Sequence, residues 1–181
     1  MIKDKRVKHF VILTSLFAVL SCKGNAQKLQ VTAIYTEPKR VIKEISEAGV
    51  AHAYTTHKEI TERLDPKVFM LSKNAETLKF RIQGNISSDG HTINQVRKIR
   101  FEKGEQNGNT ITLRYYTEVK RIPGKESANV RGYNYTKDEV YRIPADVKII
   151  KIELYEEHIN DLSDTKPKLT AQQIFNFFAK I

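Results

Sequence analysis

The segment Lys98–Val119 reads KIRFEKGEQNGNTITLRYYTEV and indicates a β-hairpin. Apolar and polar residues alternate on both sides of its centre, and this period of two is typical of antiparallel strands with one solvated face. The centre holds Asn107, Gly108 and Asn109, residue types that tolerate the positive φ angles of a tight turn. The segment therefore predicts two paired strands that bury one of their faces.

The same alternation recurs along the chain and predicts a mainly β fold. Further strands are indicated at Leu29–Tyr35, Lys67–Ser72, Leu78–Ile86, Val140–Ile143 and Val147–Glu156. Near Ile149 the apolar residues change from odd-numbered to even-numbered positions. This phase switch is expected to mark a bulge or a strand shared between two sheets. Residues 37–48 fit a helix or a strand equally well. About six or seven strands favour an antiparallel β-sandwich or an open barrel.

Two short helices are predicted beside these strands. Thr56 and Glu59 have the spacing of a capping box, in which a hydroxyl and a carboxylate satisfy the first free amides of a helix. Thr170 and Gln173 repeat this spacing ahead of an apolar stripe. The sequence thus predicts a short C-terminal helix that packs on the β domain.

The first 21 residues have the three parts of an export signal. The positive start contains Lys3, Lys5, Arg6 and Lys8. Phe10–Leu20 is an uncharged apolar stretch, shorter than the roughly 20 residues that a membrane-spanning helix needs. Ser21 follows this stretch, and the next residue is Cys22, the one cysteine of the chain, which ends the sequence VLSC.

VLSC (Val19–Cys22) resembles the lipobox of bacterial lipoproteins. The resemblance implies that Cys22 carries a diacylglyceryl group, that a signal peptidase cuts before it, and that the new amino terminus is acylated. In some lipoproteins an aspartate directly after the cysteine retains the protein in the inner membrane. Here Lys23 has that position, and the resemblance therefore implies an outer membrane location facing the periplasm. An ordinary secretory signal is the alternative, but the residues around Ala26 fit its cleavage pattern poorly.

These features divide the chain into a signal peptide (1–21), a tether (22–28), a β-rich domain (29–162) and a linker with the C-terminal helix (163–181). Without the signal, 27 basic residues (31 minus 4) and 20 acidic residues (21 minus 1) remain, a formal charge of +7. This charge favours acidic partners. Nucleic acid is not expected as a partner of an exported, lipid-anchored protein.

No sequence motif indicates an enzyme, a metal site or a cofactor. A single cysteine excludes an internal disulfide, and His52 and His57 have a spacing that zinc motifs do not use. Glycine-rich phosphate loops and a nucleophile elbow are absent from the sequence. We therefore predict no catalytic residue, no metal ligand and no cofactor.

A basic surface on the hairpin is the best candidate for function. If Ile99 and Leu113 face the core, the opposite face carries four cations around one aromatic ring. These residues are Lys98, Arg100, Arg114, Tyr116 and Lys120. Such a face suits an acidic glycan or an acidic patch on an envelope protein. The alternative is a solvated sheet face whose charges prevent aggregation.

The segment Ile122–Thr136 lacks clear periodicity and predicts a long loop beside this surface. Its residues Arg131, Tyr133 and Tyr135 suit recognition, because tyrosine offers contact area and a hydroxyl at low entropic cost. A mobile hairpin crossover is the alternative interpretation of the same segment.

Together these patterns predict a lipid-anchored, non-enzymatic β-sandwich that binds a partner or assists envelope assembly. Two alternatives stay open. The first is a periplasmic inhibitor or immunity lipoprotein that blocks another protein by contact. The second is a small glycan-active enzyme, since carboxylates are plentiful in the chain.

Overall fold

The structure, a computed structural model, describes residues 28–43, 52–88, 92–124, 127, 129–159 and 166–177. Within these residues the chain forms nine strands. They are β1 (Gln30–Lys43), β2 (His52–Glu59), β3 (Lys67–Lys73), β4 (Thr77–Ser87), β5 (Thr92–Asn107), β6 (Thr110–Pro123), β7 (Val130–Arg142), β8 (Ile149–Ile159) and β9 (Lys168–Asn176).

The strands form two sheets, which confirms the mainly β fold class predicted from the sequence. A five-stranded sheet has the order β2-β1-β7-β4-β3, and a four-stranded sheet has the order β5-β6-β8-β9. Neighbouring strands are antiparallel except β6 and β8, which run parallel. No helix in the described ranges is long and apolar enough to cross a membrane.

The core lies between the two sheets, because alternate residues of their strands turn inwards. Strand β4 alternates buried and half-buried residues along almost its whole length. The fully buried side chains include Leu78, Phe80, Ile82, Ile111, Leu113, Ile150, Ile152 and Leu154. Each buried side chain of this size contributes about 1.5–3 kcal/mol, so the packing between the sheets is the main source of stability.

The predicted hairpin is present as β5 and β6. Asn107 pairs with Thr110, and Gly108 in the intervening turn has a φ angle of 59°. A positive φ is costly for residues that carry a Cβ, which explains the glycine at this position. The hairpin places Ile99, Ile111, Leu113 and Tyr115 in the core, as the alternation predicted. Phe101, which the same alternation places in the core, is 45% exposed because β5 is an edge strand.

The connection from β2 to β3 crosses the outer face of the five-stranded sheet, because these strands lie at its opposite edges. Side chains of the sheet hold the crossing segment, residues 60–66. The amide of Leu64 donates to Asn134 Oδ1 at 3.0 Å, and Asn85 Nδ2 donates to the carbonyl of Leu64 at 3.0 Å. Ile34 is fully buried although it lies outside the main core. The segment therefore seals part of this face.

Both predicted helices are wrong. Thr56 and Glu59 lie in β2, and residues 37–43 of the ambiguous segment belong to β1. Thr170 and Gln173 lie in β9, which pairs antiparallel with β8, whereas residues 178–181 lie outside the described part. Backbone pairing with an existing strand outweighs a local capping signal, since propensity is easily overridden by tertiary contacts.

The predicted long loop is also wrong for most of its length. Strand β6 continues to Pro123 and β7 begins at Val130, so only a short connection separates them. The phase switch near Ile149 marks the start of β8 and not a bulge, because the register of β8 against β6 is continuous. Val147 is buried in the turn that precedes this strand.

The predicted signal peptide (1–21) and Cys22 lie outside the described residues. Of the predicted tether, only Lys28 is described, immediately before Leu29 and β1. Part of the predicted linker, residues 163–165, also lies outside the described ranges. The lipobox and the export signal therefore stay predictions.

Candidate functional site

The five residues predicted on the hairpin surface lie on the outer face of the four-stranded sheet. Across β5 and β6, Lys98 is opposite Glu118 and Arg100 is opposite Tyr116. On its other side, β6 lies beside β8, where Lys120 is opposite Ile159. We call this surface the Tyr/Arg face. It contains Lys98, Arg100, Glu102, Arg114, Tyr116, Glu118, Lys120, Lys151, Glu153, Tyr155 and Glu157.

Two tyrosine rings form the centre of the Tyr/Arg face. Tyr116 and Tyr155 are opposite each other in the parallel strands, and their rings stack with centroids 5.1 Å apart and planes 17° from parallel. The guanidinium carbon of Arg100 lies 4.2 Å from the centroid of the Tyr116 ring. Cation–π and stacking contacts of this kind fix the rings in place, so the face presents a rigid aromatic centre.

The cations of the face are met by carboxylates, which corrects the expectation of a strongly basic surface. Arg100 lies 2.9 Å from Glu157 and 3.3 Å from both Glu102 and Glu118, and Lys98 lies 3.4 Å from Glu118. Five cations and four carboxylates share the face, a formal charge of +1 (five minus four). Electrostatic attraction for an acidic ligand is correspondingly weak, because four of the five cations already lie beside carboxylates.

Glu153 joins three side chains of the face. It is 7% exposed, and its carboxylate lies 2.6 Å from Lys151 and 3.3 Å from Arg114 and accepts a 2.9 Å hydrogen bond from the hydroxyl of Tyr155. Burial alone would raise the pKa of this carboxyl, but the three donors outweigh burial and lower its pKa below the ordinary value of 4.5. Glu153 is therefore ionised at neutral pH and holds the face together.

Acidification is expected to destabilise the fold through Glu153 and Asp138. The hydrogen bonds from Arg81 lower the pKa of Asp138 below its ordinary value of 3.8. Both carboxyls therefore bind protons more readily in the unfolded chain. Their stabilisation is complete above about pH 4.5 and is lost as the pH falls through their lowered pKa values. The midpoint of urea unfolding, measured from pH 7 to pH 3, should decline accordingly.

Asp138→Asn should lower the unfolding midpoint at pH 7 and flatten its decline with acid. Glu105→Gln, at an exposed side chain of β5, serves as the matched neutral substitution and should lower the midpoint at pH 7 by less than Asp138→Asn does. If the unfolding midpoints of both variants and of the parent fell equally with acid, the Arg81–Asp138 ion pair would be excluded as a source of acid sensitivity.

The other three predicted residues lie in β7, in the opposite sheet, and do not join the Tyr/Arg face. Arg131 is exposed and lies near Glu59. The hydrogen bond from Arg63 lowers the pKa of the Glu59 carboxyl, and the positive charge of Arg131 adds to this effect. Tyr133 is half-buried. Tyr135 is only 2% exposed, and its burial raises the pKa of its hydroxyl to about 12. The expectation that Tyr135 contacts a partner is therefore wrong, because its ring belongs to the core.

Sequence reasoning missed the acidic half of the face. Glu102 and Glu118 occupy the same alternate positions as the predicted cations, so the period of two contained enough information to find them. Glu153 and Tyr155 could not be placed in this way, because they reach the face only through the parallel pairing of β6 with β8. Parallel neighbours are joined by long connections that local patterns do not reveal.

Nowhere in the described ranges do three or more His, Cys, Asp or Glu side chains group as they would around a metal ion. Comparison of the chain with protein-family models, with curated proteins and with solved structures returns no match.

Proposed function

We propose that this chain is a lipid-anchored, non-enzymatic module of a bacterial envelope that binds another protein through the Tyr/Arg face. The lipobox-like sequence that ends at Cys22 supports the anchor, and with it a place at the periplasmic side of an outer membrane. The Tyr/Arg face supports the binding role. It is the single observation that carries the proposed binding function.

Preorganisation is the physical reason for choosing this face. Binding proteins lose affinity when flexible side chains must be ordered, at about 0.5–1.5 kcal/mol for each one. Tyr116, Tyr155 and Arg100 are already held by stacking and ion pairs before any partner arrives. Tyrosine and arginine are also the residue types that most often dominate the energy of protein interfaces.

A protein partner is favoured over an acidic glycan because of the charge balance. The face alternates positive and negative groups and carries a formal charge of only +1. At Lys98, Arg100 and Arg114, a glycan carboxylate or phosphate would have to compete with the carboxylates that already lie beside these cations. A protein surface with its own mixed charges can pair with both signs, which gives specificity rather than general attraction.

The anchor is tested first, by expression of the full chain in a Gram-negative host. We expect the wild type to partition with membranes and to carry acyl mass on Cys22, and Cys22→Ala to be free of both. A Cys22→Ala protein that behaves like the wild type, or a wild type without acyl mass, would contradict the anchor.

The binding face is tested by Arg114→Ala combined with Tyr116→Ala. We expect this double variant to capture its crosslinked envelope partner roughly tenfold less, because it removes one stacked ring and one charged group from the centre of the face. The melting temperature should fall by only about 2–4 °C, the shift that corresponds to ~1 kcal/mol in a chain of this size.

A matched control replaces the same residue types on the other sheet. Arg131→Ala combined with Tyr35→Ala removes an exposed arginine and a tyrosine that is 47% exposed, and it should leave capture unchanged. Equal losses in both double variants would refute the Tyr/Arg face as the contact surface. Capture of an acidic glycan instead of a protein would refute the choice of partner.

A further inference from the structure

Half of β1 and all of β2 extend beyond the sandwich as a two-stranded ribbon. The pairing of β1 with β7 ends at Tyr35, whereas its pairing with β2 begins at Thr36 and continues to Lys43. We call this ribbon, Thr36–Lys43 with His52–Glu59, the β-arm. Apart from the end at Thr36, no third described strand pairs with it. Two strands alone are marginally stable in water, so the β-arm is incomplete as a sheet.

The direction of the backbone groups in the β-arm follows from one hydrogen bond. The amide of Thr36 donates to the carbonyl of Asn129, on the side of β1 away from β2, at 2.7 Å. Because strand residues alternate in direction, even-numbered residues of β1 point their backbone groups away from β2. Their partners in β2, among them His57 and Thr55, then point theirs towards the opposite edge of the β-arm.

The two edges of the β-arm differ in their capacity to pair. On the β1 edge, Pro38 occupies one of the outward positions, and proline has no amide hydrogen to donate. On the β2 edge, Ala53, Thr55 and His57 present successive outward amides without interruption. The residues around them, Tyr54–Thr56, are strong strand formers. An added strand is therefore expected on the β2 edge and disfavoured on the β1 edge.

The charge of the β-arm indicates what such a strand would carry. Lys39, Arg40 and Lys58 are exposed on the β-arm. Of the two acidic residues, Glu59 is already held by two hydrogen bonds from Arg63, at 2.6 and 2.8 Å. Glu37, which lies opposite Lys58 in the ladder, is the one other carboxylate in the sequence of the β-arm, against four Lys and Arg residues. A complementary strand would therefore be acidic.

We propose that the free edge of β2 accepts an extended acidic strand from a partner protein, which becomes the sixth strand of the larger sheet. Main-chain hydrogen bonds to Ala53, Thr55 and His57 supply the affinity, and acidic side chains of the strand pair with Lys39 and Lys58. This contact lies on a different sheet from the Tyr/Arg face. It goes beyond the proposed function, and either contact can fail without the other.

The test uses the full chain in detergent micelles and a ten-residue fluorescent peptide of alternating valine and glutamate. We expect the peptide to bind and to slow amide hydrogen exchange at Ala53, Thr55 and His57. A peptide with lysine in place of glutamate should not bind. Fluorescence anisotropy measures the affinity, and sedimentation measures whether copies of the chain associate with each other.

Thr55→Pro removes one outward amide from the β2 edge and should weaken peptide binding roughly tenfold. Ile42→Pro is the matched control, because it removes an outward amide from the β1 edge, and its binding should equal that of the parent. Both variants should keep the core intact, since the β-arm lies outside it. The pair Lys39→Glu and Lys58→Glu tests the charge without any proline and should also weaken binding.

Three results would overturn the proposal. The first is equal binding to Thr55→Pro and to the parent, which would place the peptide elsewhere. The second is no binding or an equal preference for the lysine peptide, which would exclude an acidic strand. The third is self-association that Thr55→Pro abolishes while no peptide binds, which would make a second copy of the chain the occupant of the edge.

Discussion

Phe80→Ala is expected to lower the free energy of unfolding by about 3–5 kcal/mol, the range for truncating a buried aromatic ring. Phe80 is fully buried in β4, and its ring meets the edge of the Tyr115 ring at 5.7 Å between centroids. The substitution leaves a cavity between the two sheets, where most of the core side chains belong to paired strands and can collapse only partly to fill it. Urea unfolding followed by circular dichroism measures the loss.

Phe101→Ala is the matched control, because Phe101 also contacts the Tyr115 ring, at 5.1 Å. Phe101 is 45% exposed at the edge of the four-stranded sheet, so water can replace its ring. We expect a loss of about 1 kcal/mol for this variant. Similar losses for the two variants would mean that the space between the sheets is not the dominant core.

Gly132→Ala is expected to cost at least about 3 kcal/mol or to prevent folding, because it adds backbone strain and a collision. Gly132 is buried in β7 with a φ angle of 140°, a conformation that residues with a Cβ rarely adopt. A Cβ would collide with the carbonyl oxygen of Ile86 and lie 2.9 Å from the Cα of Ser87. Both atoms belong to the backbone of β4, which cannot move without breaking its pairing.

Gly108→Ala tests the cost of a positive φ angle without the collision of a Cβ with another strand. Gly108 also has a positive φ angle, 59°, but a Cβ there would meet nothing within 4 Å. The left-handed conformation alone costs about 1–2 kcal/mol for alanine, so this variant should fold and unfold at a moderately lower urea concentration. If Gly132→Ala were no worse than Gly108→Ala, β4 would have to be more mobile than its buried register implies.

The sequence predicted those parts of the fold that depend on local alternation. The hairpin of β5 and β6 follows from a period of two and from the glycine and asparagine at its turn. The same period places Lys98, Arg100 and Arg114 on one face, where the structure has them. These features could be predicted because neighbouring strands in a hairpin fix each other's faces.

Features that depend on distant pairing could not be predicted. Strand β9 looks like a helix in sequence, and only its ladder with β8 makes Lys168–Asn176 a strand. The glutamate–cation balance of the Tyr/Arg face depends on β8, which is parallel to β6 and distant from it in the chain. The burial of Tyr135 likewise follows from β7 lying in the middle of the larger sheet and not at a surface loop.

The continuity of β1 has a mechanical consequence. One strand of 14 residues begins close to the predicted tether and ends in the β-arm. If the bilayer holds Cys22 and a partner holds β2, a pulling force runs from the partner through the β1–β2 ladder and then along the covalent backbone of β1. The hydrogen bonds of that ladder lie across the pull and share the load. No residue of β1 belongs to the main core between the sheets, so along this path the load would reach the membrane without passing through the packed core.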